Sequence, residues 1–253
     1  MLLIPIKVKR KTKKFDLKSE LFTVLKTNKT KLKKGDILVI SSKYVSISDG
    51  RLINLKEVII SKKAKKVAKK YAINSALAEV ITKEAEKILA GQKGLVMSIK
   101  NKVITPNSGV DTSNIPKNYA VVYPENPHAR ALQIKNLIKK KYKINTGVII
   151  TDSRIAPTRI GTTGIAIGVA GLKPVIDERG KKDLFGKSIK MTRKALADNL
   201  SSAAQILMGE SDEKIPIVIV RDSKIKISNY KSSDSDLSID YKKCIYVKSL
   251  KNN

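Results

Sequence analysis

The spacing of apolar and polar residues along the chain predicts an alternation of short strands and amphipathic helices. Apolar runs of strand length predict strands at residues 2–8, 37–40, 95–99, 103–105, 119–123, 147–150, 215–220 and 244–247. Because strands and helices follow one another throughout, we expect an α+β fold with mixed sheets and packed helices.

Helical spacing of apolar residues predicts four helices, which begin near residues 61, 75, 127 and 192. The third has Asn126 at its cap and Pro127 in its first turn, where a missing N–H costs nothing. The second is expected to include residues 88–89 and to stop at Gly91, and the fourth to end before Gly209.

Two segments are interpreted as irregular. Residues 44–55 are expected to fold back through a turn at 48–50, and the acidic, serine-rich residues 232–238 are expected to form a flexible loop. The chain has no long linker and no internal repeat, so residues 1–253 are predicted to form a single catalytic unit, with room for a smaller subdomain inside it.

The net charge of +30 normally points to nucleic acid, because clustered Lys and Arg release counterions from phosphates. Only eight residues are Arg, however, and the chain has no Trp and three Phe. Bidentate contacts to phosphates favour Arg, and stacking on bases requires aromatic rings. We therefore interpret the charge as a general lysine bias and expect no nucleic-acid partner. A non-catalytic, basic nucleic-acid-binding protein is the alternative from a different class.

One cysteine, Cys244, excludes an intramolecular disulfide and a thiolate metal site. No window resembles a signal peptide or a membrane-spanning helix, so we expect no membrane partner and a cytoplasmic protein.

Two acidic residues stand at predicted strand ends. Asp152 follows the strand at 147–150 and precedes Ser153, and Asp111 lies in a loop rich in Asn, Ser and Gly. Carboxylate and hydroxyl oxygens are the ligands that Mg²⁺ prefers, and few protein ligands suffice when phosphates supply the rest. A shared cation site is one interpretation, and ordinary turn capping is the other.

Four glycines interrupt the apolar run at residues 161–171, which indicates close approach of the backbone to a ligand or to neighbouring elements. The spacing matches neither a dinucleotide fingerprint nor a P-loop. His128, the only histidine, is expected at the surface, which leaves no histidine base. Chemistry is therefore expected to depend on carboxylates, a metal and positioning.

Seven short blocks occur in an order that carries further information. They are Ser41-Ser42-Lys43, residues 107–114, 150–153, 164–171 and 179–186, Ala197-Asp198 and Met208-Gly209-Glu210. Together they resemble the coenzyme F420:L-glutamate ligases over nearly the whole chain.

The resemblance implies a GTP-dependent γ-glutamyl ligase that phosphorylates the carboxylate of the coenzyme F420 precursor, after which the amine of L-glutamate attacks the acyl phosphate. It implies Mg²⁺ or Mn²⁺, K⁺ as a further candidate cation, and a homodimer with a fold specific to the family. By position, the implied metal ligands are Asp111, Asp152 and Ser153, the implied catalytic residues are Asp111, Asp152 and Arg159, and the implied nucleotide contacts are Ser42, Lys43, Asn114, Met208, Gly209 and Glu210.

The chain also departs from the family pattern. Residues 9–12 replace a Leu-Pro pair, and only Arg159 remains of a Gly-Arg-x-x-Arg pattern after Asp152. The Asp-Ser-Arg block at residues 152–154 is similar to that of related folate γ-glutamyl ligases. The same ligation on folate or another carboxylate is therefore the nearer alternative.

Overall fold

The chain folds around a five-stranded central sheet in a computed structural model that describes residues 1–251. In chain order the elements are β1 (Leu2–Ile6), α1 (Leu17–Thr27), β2 (Ile37–Ser41), α2 (Ser42–Ser48), β3 (Leu52–Asn54), α3 (Lys62–Tyr71), α4 (Ser75–Glu84), β4 (Lys87–Gln92), β5 (Leu95–Lys100), β6 (Val103–Pro106), β7 (Tyr119–Val121), α5 (Pro127–Tyr142), β8 (Gly147–Ile155), β9 (Thr162–Ala170), β10 (Ile176–Asp177), β11 (Arg193–Lys194), α6 (Leu196–Met208), β12 (Ile217–Arg221), α7 (Asp234–Leu237) and α8 (Ile245–Lys251).

The central sheet has the order β1-β12-β2-β8-β9 and is mixed, because β2 and β8 are parallel and the other pairs are antiparallel. Its middle strands are apolar on both faces, as expected for strands covered by helices on both sides. Leu38 and Ile40 face the core that contains α1 and α5, whereas Ile37 and Val39 face α6. The predicted α+β class with mixed sheets is confirmed.

A separate apolar core lies between α4 and two small sheets. The sheet β4-β5-β6 and the pair β3-β7 pack with α3 and α4 around Tyr71, Ile81 and Val96. The predicted pairing of the strands at 95–99 and 103–105 is confirmed across a turn at Asn101 and Lys102.

The glycines of β9 allow two helices to approach this strand. A Cβ atom on Gly164 would lie 2.5 Å from the Ser201 carbonyl oxygen of α6, and one on Gly168 would lie 2.5 Å from the Pro127 carbonyl oxygen of α5. Residues four apart in a regular strand face the same side of the sheet. A β-bulge between Gly164 and Gly168 adds one residue, so these two glycines face opposite sides. These two glycines therefore serve packing against neighbouring elements.

Several local predictions were wrong. The helix expected to reach residues 88–89 ends at Glu84, because those residues belong to the strand β4, in which Ile88 pairs with Ser98 of β5. Residues 42–48 form a helix before the expected turn, and the fourth helix begins at Leu196.

The C-terminal predictions were also wrong. The expected loop contains α7, which is stabilised by a capping box between Ser233 and Asp236, and the expected strand at 244–247 is largely helical. None of the helices in residues 1–251 is both long and apolar enough to span a membrane.

Candidate active site

A cavity of about 330 Å³ lies at the carboxyl end of β2, where the parallel pairing of β2 with β8 ends. Open sheets of this kind commonly bind ligands beyond their strand ends. The cavity is lined by the segment after β1, the start of α2, the loop before β7, the middle of β8 and the connection from α6 to β12. Asp111 and Asp152, which are distant in sequence, both line it.

Asp152 is partly buried and is held by two hydroxyl groups. Ser42 Oγ donates a hydrogen bond of 2.8 Å to Oδ1 of Asp152, and the Tyr123 hydroxyl donates one to Oδ2. Burial raises the pKa of Asp152, and the hydrogen bonds from Tyr123 and Ser42 oppose this effect only in part. The negative charge of Asp111 raises the pKa further.

The pKa of Asp111 is shifted in the opposite direction. Burial alone would raise its pKa, but the Lys43 ammonium and the hydrogen bonds from Lys43 and Ser113 outweigh burial, so the pKa lies below its usual value. Lys43 Nζ lies 2.7 Å from Oδ2 of Asp111, and the Ser113 backbone N–H donates to Oδ1 at 2.7 Å. The cavity therefore contains one carboxylate that favours ionisation and one that resists it.

The backbone turn at Gly109 directs the chain towards Asp111. This glycine has φ 73°, and a Cβ atom in its place would lie 2.5 Å from the ring of Tyr123. Only glycine combines that left-handed conformation with such a close approach. The chain then continues to Asp111, which pairs with Val121 through two backbone hydrogen bonds of 2.9 Å.

The end of α6 forms another wall of the cavity. Asn114 Nδ2 donates to the backbone oxygens of Ser211 at 2.7 Å and Glu210 at 3.3 Å. The Glu210 carboxylate accepts hydrogen bonds from Thr162 Oγ1 at 3.0 Å and from Gln205. The loop before β7, β9 and the helix end are therefore tied together at one place.

Most of the residues implied by the resemblance meet at this cavity. Those that line it are Lys43, Asp111, Asn114, Asp152, Ser153, Met208, Gly209 and Glu210, and Ser42 contacts Asp152 directly. Arg159 is the exception, because it lies in an exposed turn between β8 and β9 and does not line the cavity.

The structure adds residues that the sequence did not indicate. Tyr123 is buried and bonds to Asp152, while Arg10, Lys11 and Lys214 add positive charge to the cavity lining. A tyrosine that follows a strand matches no functional sequence motif, so the sequence did not indicate a role for Tyr123. Arg10 and Lys11 could have been found from the sequence, because residues 9–12 replace a Leu-Pro pair of the family pattern.

The expected position of His128 was wrong. Its side chain is 10 % exposed, and its Nδ1 accepts a hydrogen bond of 3.3 Å from the Val169 backbone N–H. This residue lies outside the cavity lining.

The donor set fits a hard divalent cation. Asp111, Asp152 and Ser153 offer only oxygen atoms, and the repulsion between the two carboxylates would be relieved by a cation near both. Residues 1–251 contain no group of three or more His, Cys, Asp and Glu side chains arranged for a metal. Two carboxylates are nevertheless sufficient where substrate phosphates complete the coordination, as is common for Mg²⁺.

Comparison with known proteins identifies the family. A family model described as F420-0:Gamma-glutamyl ligase matches residues 5–222. The chain belongs to this family. The coenzyme F420:L-glutamate ligase of Methanopyrus kandleri is 36% identical over 227 residues, which cover 89% of this chain and 88% of the relative. The enzyme of the same name from Methanocaldococcus jannaschii is 41% identical over 201 residues, which cover 79% and 80% of the two chains.

Membership of the F420-0:gamma-glutamyl ligase family confirms the resemblance read from the sequence blocks and confirms that the chain is a ligase. The matched region includes Asp111, Asp152 and the end of α6, so all walls of the cavity lie within it.

Proposed function

We propose that this chain joins L-glutamate through an amide bond to the carboxylate of the coenzyme F420 precursor, using GTP and a divalent cation, by way of an acyl phosphate. The observation that carries the proposal is the meeting of Asp111 and Asp152 at one cavity beside Lys43 and the end of α6. The relatives that share the family are named for glutamate ligation in the context of coenzyme F420.

The first proposed step is phosphoryl transfer. An acceptor carboxylate oxygen attacks the γ-phosphorus of GTP, the bond to the β–γ bridging oxygen breaks, and GDP leaves. Lys43 places a positive charge beside Asp111, and Asn114 holds the loop at the end of α6 against the same cavity. Positioning and charge stabilisation are the main requirements of such a reaction, so no histidine is needed.

The second proposed step forms the amide. The uncharged amine of L-glutamate attacks the acyl carbon, the bond from carbon to the phosphate oxygen breaks, and inorganic phosphate leaves while the nitrogen gives up a proton. The partly buried floor around Asp152, Ser42 and Tyr123 limits access of water to the reactive acyl phosphate. Exclusion of water favours attack by the amine over hydrolysis.

Asp111, Asp152 and Ser153 are the residues that would hold the divalent cation. Such a cation supplies neutralisation of charge on the phosphate oxygens during transfer. Asp152 remains ionised beside Asp111 at lower electrostatic cost in its presence. The proposed catalytic role of Arg159 and the proposed binding of K⁺ rest on the resemblance alone.

The proposal includes a homodimer and treats residues 1–253 as one catalytic unit. Several large apolar side chains are exposed at the surface, as is common where a second chain binds. They include Ile160, Leu184, Phe185, Met191 and Ile206. Light scattering on the purified protein is expected to give a mass close to twice 27.9 kDa, and a monomer mass at micromolar concentration would contradict this part of the proposal.

An isotope experiment tests the chemistry. The acceptor carboxylate is labelled with ¹⁸O and incubated with GTP, Mg²⁺ or Mn²⁺ and L-glutamate. An acyl phosphate requires that one labelled oxygen appear in the inorganic phosphate that is released. Parallel reactions with the coenzyme F420 precursor and with a folate identify the acceptor by the mass of the product. Product formation with unlabelled phosphate would contradict the acyl phosphate, and absence of product with every acceptor would contradict the ligase.

A further inference from the structure

A second, smaller cavity of about 100 Å³ is linked to the first by one hydrogen bond between their lining side chains. The ring of Tyr123 lines this cavity, and its hydroxyl bonds to Asp152, which lines the larger one. At roughly 30 Å³ per water molecule, the volume suits about three waters or a carboxylate with a few attached atoms. A nucleotide does not fit, so any ligand here differs from the one in the larger cavity.

Arg154 supplies the available positive charge of this cavity. Arg154 is half-buried and acts on the nearby Tyr123 hydroxyl, but it forms no ion pair with the carboxylates of residues 1–251; its hydrogen bond to Thr105 Oγ1 is long, at 3.5 Å. Lys100 also lines the cavity, but its ammonium is paired with Glu84. Buried arginines are normally paired with an anion, so a half-buried one without a partner is suited to bind an anionic ligand.

Asp198 supplies an available negative charge in the same cavity. Its Oδ1 accepts a hydrogen bond of 2.9 Å from the Ala166 backbone N–H, while its other oxygen has no hydrogen-bond partner within the described chain. Burial raises the pKa of Asp198, whereas the Ala166 N–H and the charge of Arg154 lower it. The charge of Arg154 thus acts on Asp198, although the two side chains form no ion pair within the described residues.

A small cavity with a guanidinium that lacks an anionic partner and a half-satisfied carboxylate matches an amino-acid zwitterion, while the other lining carboxylate, Asp234, lies beside His128. We propose that this cavity binds the amino-acid end of the L-glutamate substrate, with its α-carboxylate on Arg154 and its amino group on the free oxygen of Asp198. The inference rests on the proposed ligase function, because it assigns the second substrate of that reaction. It places the amine in a cavity whose wall includes Tyr123, the residue that bonds to Asp152 of the larger cavity.

Substitution of Arg154 tests the assignment. Arg154→Gln is expected to raise the KM for L-glutamate by about 10- to 100-fold, which is the loss expected for a charge-assisted hydrogen bond to a carboxylate. Arg154→Lys is expected to recover part of the affinity. The matched control is Arg193→Gln, because Arg193 is exposed on β11 and lies outside both cavities. Its KM for L-glutamate is expected to equal that of the unaltered protein.

A partial reaction separates this inference from the proposed function. Hydroxylamine traps the acyl phosphate as a hydroxamate in the absence of L-glutamate, and Asp198→Asn, which keeps the Arg154 charge that lowers the pKa of Asp152, is expected to form it at a rate within about twofold of the unaltered protein while its KM for L-glutamate rises. Normal hydroxamate formation with an unchanged KM would overturn the glutamate site and leave the ligase intact. Absence of hydroxamate and of product from the unaltered protein would contradict the ligase. Direct calorimetric titration of L-glutamate into the unaltered protein and Arg154→Gln would then still test the site.

Substrate analogues identify the carboxylate that Arg154 holds. The unaltered protein is expected to prefer L-glutamate strongly over 4-aminobutyrate, which lacks the α-carboxylate, and this preference is expected to collapse in Arg154→Gln. The preference over L-2-aminobutyrate, which lacks the side-chain carboxylate, is expected to persist. The reverse result would overturn the assignment of the α-carboxylate.

Discussion

The hydroxyl of the buried Tyr123 donates a hydrogen bond to the carboxylate of Asp152, which lines the active-site cavity. This bond, together with that from Ser42, partly offsets the burial that raises the pKa of Asp152. A residue absent from the sequence blocks of the family therefore controls the charge of a residue that lies within them.

Tyr123→Phe removes this hydrogen bond and is expected to raise the pKa of Asp152 further. The proposed cation then binds a carboxylate that is ionised less readily and oriented less firmly, and its affinity is expected to fall by about 10- to 100-fold. Titration of Mn²⁺ followed by electron paramagnetic resonance measures this affinity. Tyr119→Phe is the control, because Tyr119 lies on β7 without a side-chain bond to either carboxylate. Unchanged Mn²⁺ binding in Tyr123→Phe would show that the hydrogen bond has no influence on the site.

Asp152→Asn is expected to stabilise the metal-free protein and to abolish ligation. Because the folded-state pKa of Asp152 is raised, the folded state binds its proton more tightly than the unfolded state does. Stability therefore falls as pH rises through the unfolded and then the folded pKa, and the full penalty is present above the folded pKa. Asparagine keeps an acceptor oxygen and carries no charge, so it removes that penalty.

Thermal unfolding with a chelator present measures the effect of Asp152→Asn between pH 4 and pH 8. The gain in melting temperature over the unaltered protein is expected to grow with pH. Asp212→Asn, at an exposed position of the same cavity, is expected to leave the melting temperature unchanged. A lower melting temperature for Asp152→Asn at neutral pH would refute the claim that the carboxylate is held at an electrostatic cost.

Gly109→Ala is expected to destabilise the protein by about 2–4 kcal/mol, from left-handed backbone strain of about 1 kcal/mol and from overpacking against the Tyr123 ring. Gly35→Ala separates the two contributions, because Gly35 has φ 90° and no atom within 4 Å of an added Cβ. It is expected to cost about 1 kcal/mol. Urea unfolding gives both free energies, and equal values would exclude the close approach to Tyr123 as a constraint.

Asn114→Asp is expected to weaken nucleotide binding more than Asn114→Ala. The Asn114 amide donates to two backbone oxygens at the end of α6, and a carboxylate in its place would repel both of them. We expect a loss of about tenfold or more for Asn114→Asp with a fluorescent GDP analogue. If both variants bound the analogue as tightly as the unaltered protein, this contact would not shape the nucleotide site.

Burial explains which parts of the fold could be predicted. The strands at 37–40 and 147–150 are covered on both faces, so their continuous apolar runs left no ambiguity. The residues at 88–89 were misassigned because a short apolar pair suits a helix end and a strand equally well, and pairing with β5 decides between them. His128 was misplaced because its burial depends on β9, more than 30 residues later.

The candidate site could be predicted only in part. The acids Asp111 and Asp152 were visible as strand-end carboxylates, but their meeting depends on the glycine turn at Gly109 and on the parallel pairing of β2 with β8. Tyr123, Arg154 and Asp198 were not assigned a role, because a single side chain within or after an element shows nothing of the cavity that it faces.

The strand β8 carries both Asp152 and Arg154, two residues apart. Alternate residues of a strand lie on the same face, and two residues span about 7 Å. In the proposed arrangement, the carboxylate that would hold the cation and the guanidinium that binds the α-carboxylate of L-glutamate are thus spaced by covalent geometry. The distance between these two binding groups does not depend on a hinge or on the closure of a lid. Insertion or deletion of one residue between Asp152 and Arg154 would turn the guanidinium to the opposite face of the sheet and separate the two substrates.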